Sequence, residues 1–103
     1  MGPKGGNRVR EYEMMVIVDP DIGEEEISTA INGIKEIIEK EGGAIEKIDE
    51  WGKRTLAYQI RHKKEGFYVI YYFKGQTDLP QKLRREINLN PHILRGMVIK
   101  KGE

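Results

Sequence analysis

Apolar residues recur along this chain with two different periods, and the changes between those periods divide it into six elements. Around Leu56 and Ile60 the apolar positions alternate with polar or small ones, which is the two-residue period of a β-strand. Between Ile27 and Ile38 they recur every three or four positions, which is the stripe of an amphipathic helix. In chain order, the patterns predict a strand at 12–18, a helix at about 23–41, a strand at about 44–60, a strand at 67–73, a short helix that begins near residue 79, and a strand at about 94–100.

This order of elements predicts the fold class. Strand–helix–strand–strand–helix–strand is the βαββαβ plan of ferredoxin-like α+β domains, in which two helices cover one face of a four-stranded antiparallel sheet. The chain has 103 residues, which is the size of one domain. In the long second strand, Ile45 and Ile48 are out of phase with a strict alternation, which predicts a bulge or a strong twist. Residues 61–66 are expected to form a basic turn between the second and third strands.

The sheet face without helices carries an apolar patch in this prediction. Because side chains alternate between the two faces of a strand, one set from the first and third strands points away from the helices. That set consists of Met15, Ile17, Tyr68, Ile70 and Tyr72. Exposed apolar patches of this size usually bind a partner. The alternative is that a loop or the amino-terminal segment folds across the patch.

Charge is distributed unevenly along the chain, although the formal net charge is only +1. Residues 1–50 contain six Lys or Arg against thirteen Asp or Glu, whereas residues 51–103 contain twelve against four. Such a division can give a folded domain one acidic and one basic side, and a basic side is typical of a polyanion-binding protein. The alternative is that the two sets interleave in space and cancel.

Composition argues against several kinds of site. The chain has no cysteine, so it has no disulfide framework and no thiolate metal site. His62 lies in a basic loop and His92 follows a proline, and neither accompanies residues spaced as metal ligands. No apolar run approaches the ~20 residues of a membrane span. We therefore expect a cytoplasmic protein that is not an enzyme, with no cofactor, no metal, no membrane association and no small-molecule substrate.

One segment is more informative than these bulk properties. Residues 49–61 read Asp-Glu-Trp-Gly-Lys-Arg-Thr-Leu-Ala-Tyr-Gln-Ile-Arg, and this run resembles the signature of the bacterial small-subunit ribosomal protein S6 family. Residues 10–20, 66–69 and 94–98 resemble the first strand, the entry to the third strand and the last strand of that family. Residues 1–7 fit no family position. We expect them to form a flexible amino-terminal extension to a single domain at 8–103.

The resemblance implies a structural constituent of the small ribosomal subunit. A protein of this family is expected to bind the central domain of the small-subunit ribosomal RNA together with ribosomal protein S18. Basic residues on the strands are the expected contacts to phosphate: Arg8, Arg10, Lys53, Arg54, Arg95 and Lys100. For each of them the alternative is an ordinary solvated position on the surface.

The expected surface for the protein partner combines the helix-free face with edge residues of the second strand. Its members are Met15, Trp51, Tyr58, Tyr68, Ile70 and Tyr72. Aromatic and methionine side chains are enriched in the cores of interfaces. For Trp51 and Tyr58 the alternative is a place in the intramolecular core. A partner rich in basic residues would be complemented by the acidic first half of the chain.

Two other functions are compatible with this fold. The first is a single-stranded RNA binder of the RNA-recognition-motif type, whose third strand carries neighbouring aromatic residues that stack bases. Residues 64–71 imitate that signature only in part, because Glu65 precedes the glycine and no small residue separates Phe67 from Tyr68. Those two rings would point to opposite faces. The second is a ferredoxin-like regulatory domain that forms symmetric homodimers and binds no RNA.

Overall fold

The fold is an antiparallel sheet with two helices packed on one of its faces. The structure is a computed structural model that describes residues 9–101. The strands lie in the order β2-β3-β1-β4, so the chain has the predicted ferredoxin-like βαββαβ plan. The predicted amino-terminal extension, residues 1–7, lies outside the described residues, as does Arg8. In chain order the elements are β1 (Val9–Val18), α1 (Glu24–Lys40), β2 (Ala44–Ile60), β3 (Lys63–Gln76), α2 (Leu79–Leu89) and β4 (Ile93–Lys101).

The main core lies between the sheet and the two helices. Alternate residues of β1 and β3 point into it, as the sequence pattern predicts. At its centre Tyr71 is fully buried, and its hydroxyl donates a hydrogen bond of 2.8 Å to the carbonyl oxygen of Ile31 in α1. This bond joins the sheet to the helix layer. The sheet residues of the core are Tyr12, Met14, Val16, Val18, Val69, Tyr71, Phe73 and Ile93.

The hairpin of β2 and β3 is the longest part of the sheet and the least regular. The register between the two strands shifts at three points, and the first of them, between Ile45 and Lys47, is the predicted bulge. The second lies beside Gly52, whose φ of 87° is in the left-handed region. The third lies between Thr55 and Ile60, close to the turn. Each shift adds local bend and twist to β2.

The turn of this hairpin is shorter than the sequence indicates. We expected a basic turn over residues 61–66, but β3 begins at Lys63 and Ile60 pairs with Lys63. The chain reverses in two residues because Arg61 and His62 both have positive φ, 50° and 66°. This is the backbone of a type I′ turn, whose twist matches that of the flanking strands.

A second, smaller apolar cluster lies on the other face of the sheet, at the end where this hairpin turns. Ile17, Leu56 and Leu94 are buried together there, and Ile60 and Tyr68 pack against them. Leu94 joins this cluster because the register of β4 against β1 shifts at this point, where Ile17 pairs with Arg95 and Val18 with Ile93. The helix-free face is therefore partly covered by the chain's own hairpin.

Candidate functional site

Aromatic side chains lie along β2 and β3 on the helix-free face. The ring of Trp51 stacks on that of Tyr68, with centroids 6.5 Å apart and planes at 15°. The guanidinium carbon of Arg54 lies 5.5 Å from the centre of the Trp51 ring, and Nη2 of Arg54 donates to the Trp51 carbonyl oxygen at 3.5 Å. A cation over an indole face is held by the ring quadrupole. Trp51 nevertheless remains 46% exposed, so it is not part of the intramolecular core.

A hydrogen bond between an arginine and a tyrosine hydroxyl joins the hairpin to β4. Nη1 of Arg95 donates a hydrogen bond of 3.0 Å to the hydroxyl oxygen of Tyr58. Tyr58 is 66% exposed, which places it on the surface rather than in the core. A shallow groove of about 210 Å³ lies beside this pair, and its floor includes Met15, Tyr68 and Met97. The groove is apolar with a guanidinium at its margin.

The helix-free face is less exposed than the alternation of residues suggests. Ile70 is on this face as predicted, but it is only 7% exposed, and Ile17 is buried in the small cluster. Ile70 pairs with Met15 on one side and with Asp49 on the other, so neighbouring strands flank it on both sides. A side chain in the middle of a sheet has little access to solvent even without a covering helix. Ile70 therefore supports the face rather than lining its outer surface.

Other predicted partner residues lie around Ile70 and are half-buried. Met15, Tyr68 and Tyr72 are of this kind, and Nζ of Lys47 lies 5.8 Å from the centre of the Tyr72 ring. The sequence prediction missed Met97 and Ile99, which are exposed on β4. Met97 pairs directly with Met15, so the alternation in the predicted last strand could have revealed it.

The predicted phosphate contacts do not form one cluster. Arg54 lies over Trp51 and Arg95 bonds to Tyr58, so these two residues border the helix-free face at one end of the sheet. Lys53 pairs with Phe67, whose ring packs against the main core. Consecutive residues of a strand point to opposite faces, so Lys53 is on the helix side.

The remaining two described members of that set are at the far end of the sheet. Arg10 pairs with Gly75, and Lys100 pairs with Tyr12, whereas Arg95 pairs with Ile17. Seven residues of β1 separate the positions of Arg10 and Ile17, which corresponds to about 23 Å along a strand. One short stretch of RNA therefore cannot contact Arg10 and Lys100 at one end of the sheet and Arg95 at the other.

Acidic and basic halves of the sequence meet in several ion pairs. Nζ of Lys82 lies 3.1 Å from a carboxylate oxygen of Glu41, and Nζ of Lys74 lies 3.5 Å from one of Glu46. Each pair joins a lysine of the second half to a carboxylate of the first half. The charge division along the sequence is thus partly cancelled in space, as the alternative interpretation held. Arg54 and Arg95 instead have the aromatic contacts described above.

The shortest of these ion pairs joins the start of β3 to the loop that follows β1. Nζ of Lys63 lies 2.7 Å from Oδ2 of Asp21 and 3.5 Å from Oδ1 of Asp19. The hydrogen bond from Lys63, followed by the charge of Lys63, lowers the pKa of Asp21 from its ordinary value of 3.8, and the charge of Lys53 adds to this effect. The hydrogen bond to Asp21 raises the pKa of Lys63 above its ordinary value of 10.5.

Among residues 9–101 no three His, Asp or Glu side chains are close enough together to hold a metal ion. Neither of the two described helices is long and apolar enough to cross a membrane.

Comparison with known proteins identifies the family. The family profile described as "Ribosomal protein S6" matches residues 11–100. The chain belongs to the ribosomal protein S6 family. It is 39% identical over 95 residues to the small ribosomal subunit protein bS6 of Desulforamulus reducens, covering 92% of this chain and 100% of the relative. It is 42% identical over 91 residues to bS6 of Clostridium novyi, covering 88% and 96%.

A solved structure gives the same assignment in three dimensions. The crystal structure of 30S ribosomal protein S6 from Thermotoga maritima superimposes with a TM-score of 0.87 at 33% sequence identity, covering 91% of this chain and 89% of that one. The family is a structural component of the bacterial small ribosomal subunit and not an enzyme. A member therefore acts in the cytoplasm and associates with ribosomal RNA within the ribosome.

Proposed function

We propose that the helix-free face docks ribosomal protein S18 and that the pair then binds the central domain of the small-subunit ribosomal RNA. The observation that carries this proposal is the exposure of Trp51 and Tyr58 beside Arg54 and Arg95. Large aromatic side chains are left in water on the same face that carries the cations. Aromatic side chains for a protein partner and cations for RNA are therefore both available at one end of the sheet.

The apolar part of this face suits a protein partner. Trp51, Tyr58 and Met97 are exposed, and Met15 and Tyr68 are half-buried beside them. Aromatic residues and methionine are enriched in interface cores, whereas Lys and Glu are depleted there. The predicted partner residues remain our candidates for the contact with S18. Ile70 is buried, so we assign it a supporting role beneath this surface.

The cationic margin suits the RNA. Arginine offers several donors in a planar fork that fits phosphate oxygens, and contacts of this kind fix the position of a protein on a nucleic acid. Arg54 and Arg95 are therefore the leading candidates. Lys53, Arg10 and Lys100 are expected to contact other stretches of RNA, and Arg8 remains a prediction from the sequence.

The other two functions are supported less well. An RNA-recognition motif uses neighbouring aromatic side chains of its third strand as a stacking platform. Here Phe67 packs against the main core while Tyr68 packs on the opposite face. A regulatory homodimer that binds no RNA is disfavoured because the chain belongs to a ribosomal protein family.

The protein contact is tested by titration with purified S18. Tyr58→Asp replaces an exposed aromatic ring by a carboxylate and should weaken partner binding at least ten-fold, because the contact area of the ring is lost and a carboxylate is costly to remove from water. Ile70→Asp is unsuitable, since Ile70 is buried in the free chain and its replacement would unfold the sheet. The matched control is Leu89→Asp, since Leu89 is 74% exposed at the end of α2. Equal affinities for the two variants would contradict the proposed surface.

The RNA contact is tested with the S18 complex and a central-domain RNA fragment. The affinity should fall as salt rises, because neutralising phosphates releases counterions. Arg95→Ala should weaken binding and flatten the salt dependence by about one unit of slope, while Lys35→Ala on α1 should do neither. An affinity that is the same at low and physiological salt would refute phosphate binding.

A further inference from the structure

The turn of the β2–β3 hairpin has a backbone that its residues do not favour. Arg61 and His62 have φ of 50° and 66°, which lie in the left-handed region. Glycine and asparagine adopt this region readily, whereas other residues adopt it at an energetic cost. Two-residue turns of this type carry Asn-Gly or Asp-Gly far more often than bulky residues. Strain that persists in a structure often marks a position where the side chains serve a function.

The side chains at this turn include two cations, Arg61 and Lys64, and the imidazole of His62. Arg61, His62 and Lys64 are exposed, and Nη1 of Arg61 donates to the carbonyl oxygen of Pro91 at 3.4 Å. That single bond leaves most of the guanidinium donors directed to solvent. Lys63, by contrast, is engaged by Asp19 and Asp21 and serves to hold the hairpin in place. The turn thus presents three basic side chains on an anchored support.

The residues that hold the turn in place differ from those whose side chains point to solvent. Ile60 packs against the cluster of Ile17, Leu56 and Leu94, and Lys63 pairs with the loop after β1. Neither contact uses His62 or Lys64. Because the turn is fixed from below on both strands, its outward side chains are pre-positioned, which lowers the ordering cost of binding a ligand.

We propose that Arg61, His62 and Lys64 form a contact to the ribosomal RNA backbone that is distinct from the surface around Trp51 and Tyr58. The ligand class is the phosphate backbone, because Arg61 and Lys64 offer exposed cationic donors, which can position a nucleic acid but do not read its sequence. This inference rests on the proposed function, since it assigns a further site to the same RNA. Arg61 and His62 occupy the two turn positions, although Asn-Gly would suit the backbone of the turn better.

The decisive variant replaces the strained pair with the residues that the turn prefers. Arg61→Asn combined with His62→Gly should raise Tm by a few degrees, because it removes two strained left-handed residues. The same variant should weaken binding of the S18 complex to the central-domain RNA about five-fold at physiological salt and reduce the salt slope by about one. Lys64→Gln should weaken RNA binding to a similar extent. Lys35→Gln on α1 removes the same charge far from the turn and is the control.

Each outcome separates this contact from the proposed function. A gain in Tm together with weaker RNA binding and unchanged S18 affinity would support the proposal. If the wild-type complex binds RNA and the variants bind it with the same affinity and the same salt slope, this contact alone is overturned. A loss of S18 affinity without a loss of RNA affinity would overturn it in favour of a protein contact. If the wild-type complex does not bind the fragment, this contact and the proposed function are overturned together.

Discussion

At the scale of single residues, Gly66 controls how closely β3 can approach β1. A Cβ atom at this position would lie 2.2 Å from Cγ2 of Ile17 and 3.4 Å from Cδ2 of Leu56. Gly66 is therefore required for close packing rather than for an unusual backbone angle. The small cluster on the helix-free face, and with it the position of the hairpin, depends on the absence of one methyl group.

Gly66→Ala should destabilise the protein by about 1–3 kcal/mol, the usual cost of forcing an extra methyl group into a packed site. Gly33→Ala is the control, because a Cβ atom there meets nothing within 4 Å apart from its chain neighbours and the backbone of its own helix. Alanine in the middle of α1 should stabilise the protein by about 0.5–1 kcal/mol. Urea denaturation of the two variants should show changes of opposite sign. A stable Gly66→Ala variant would show that the cluster can rearrange.

At the scale of elements, the β2–β3 hairpin combines features that the sequence predicts with features that it does not. The bulge near Ile45 was predictable because two isoleucines three residues apart break a strict alternation. The short turn was not, since Arg61 and His62 lack the Asn-Gly pattern that signals such turns. The shift that brings Leu94 to the helix-free face also lacks a local signal, because it depends on how β4 pairs with β1.

The ion pair between Lys63 and Asp21 should make the anchoring of this hairpin depend on pH. The pKa of Asp21 is lowered in the folded chain, so its contribution to stability is complete above about pH 3.8 and is lost as pH falls through the folded value. The pKa of Lys63 is raised above 10.5, so its contribution is present below that pH and is lost as pH rises further. The pair is therefore intact throughout the neutral range.

We expect Lys63→Gln to lower the free energy of unfolding at pH 7, and we expect this deficit to shrink as pH falls below 3.8 through the lowered pKa of Asp21. The measurement is urea denaturation over a series of pH values from 7 downward, with Lys35→Gln as a variant that loses a lysine outside this pair. A deficit of equal size throughout the series would mean that Lys63 stabilises the hairpin through packing rather than through charge.

At the scale of the whole molecule, the fold was more predictable than the arrangement of the candidate site. Periodicity determines which residues face the helices, and the core residues of β1 and β3 follow it. To predict which basic residues lie on the same face of the sheet, one also needs the strand order and the register. Arg54 and Arg95 are 41 positions apart in the sequence and border the same face, whereas the adjacent Lys53 lies on the other side. Burial of Ile70 likewise follows from its place between two neighbouring strands.

The single tryptophan of the chain should report on docking. Trp51 is partly exposed on the helix-free face, so its fluorescence in the free protein should resemble that of a partly solvated indole. Addition of S18 should shift the emission to shorter wavelength, because the proposed interface removes water from the ring. Tyr58→Asp should reduce the shift at a given partner concentration. An unchanged emission spectrum in a saturated complex would place the partner on another surface.

The two outer strands of the sheet differ in how readily they could pair with another chain. Within residues 9–101 both β2 and β4 have one side free of strand pairing. Three register shifts and many charges make β2 a poor template, but β4 is regular from Arg95 onward and carries exposed Met97 and Ile99. A regular, partly apolar edge is a site for aggregation. Chains made in excess of their binding partners should therefore associate with one another through the β4 edge.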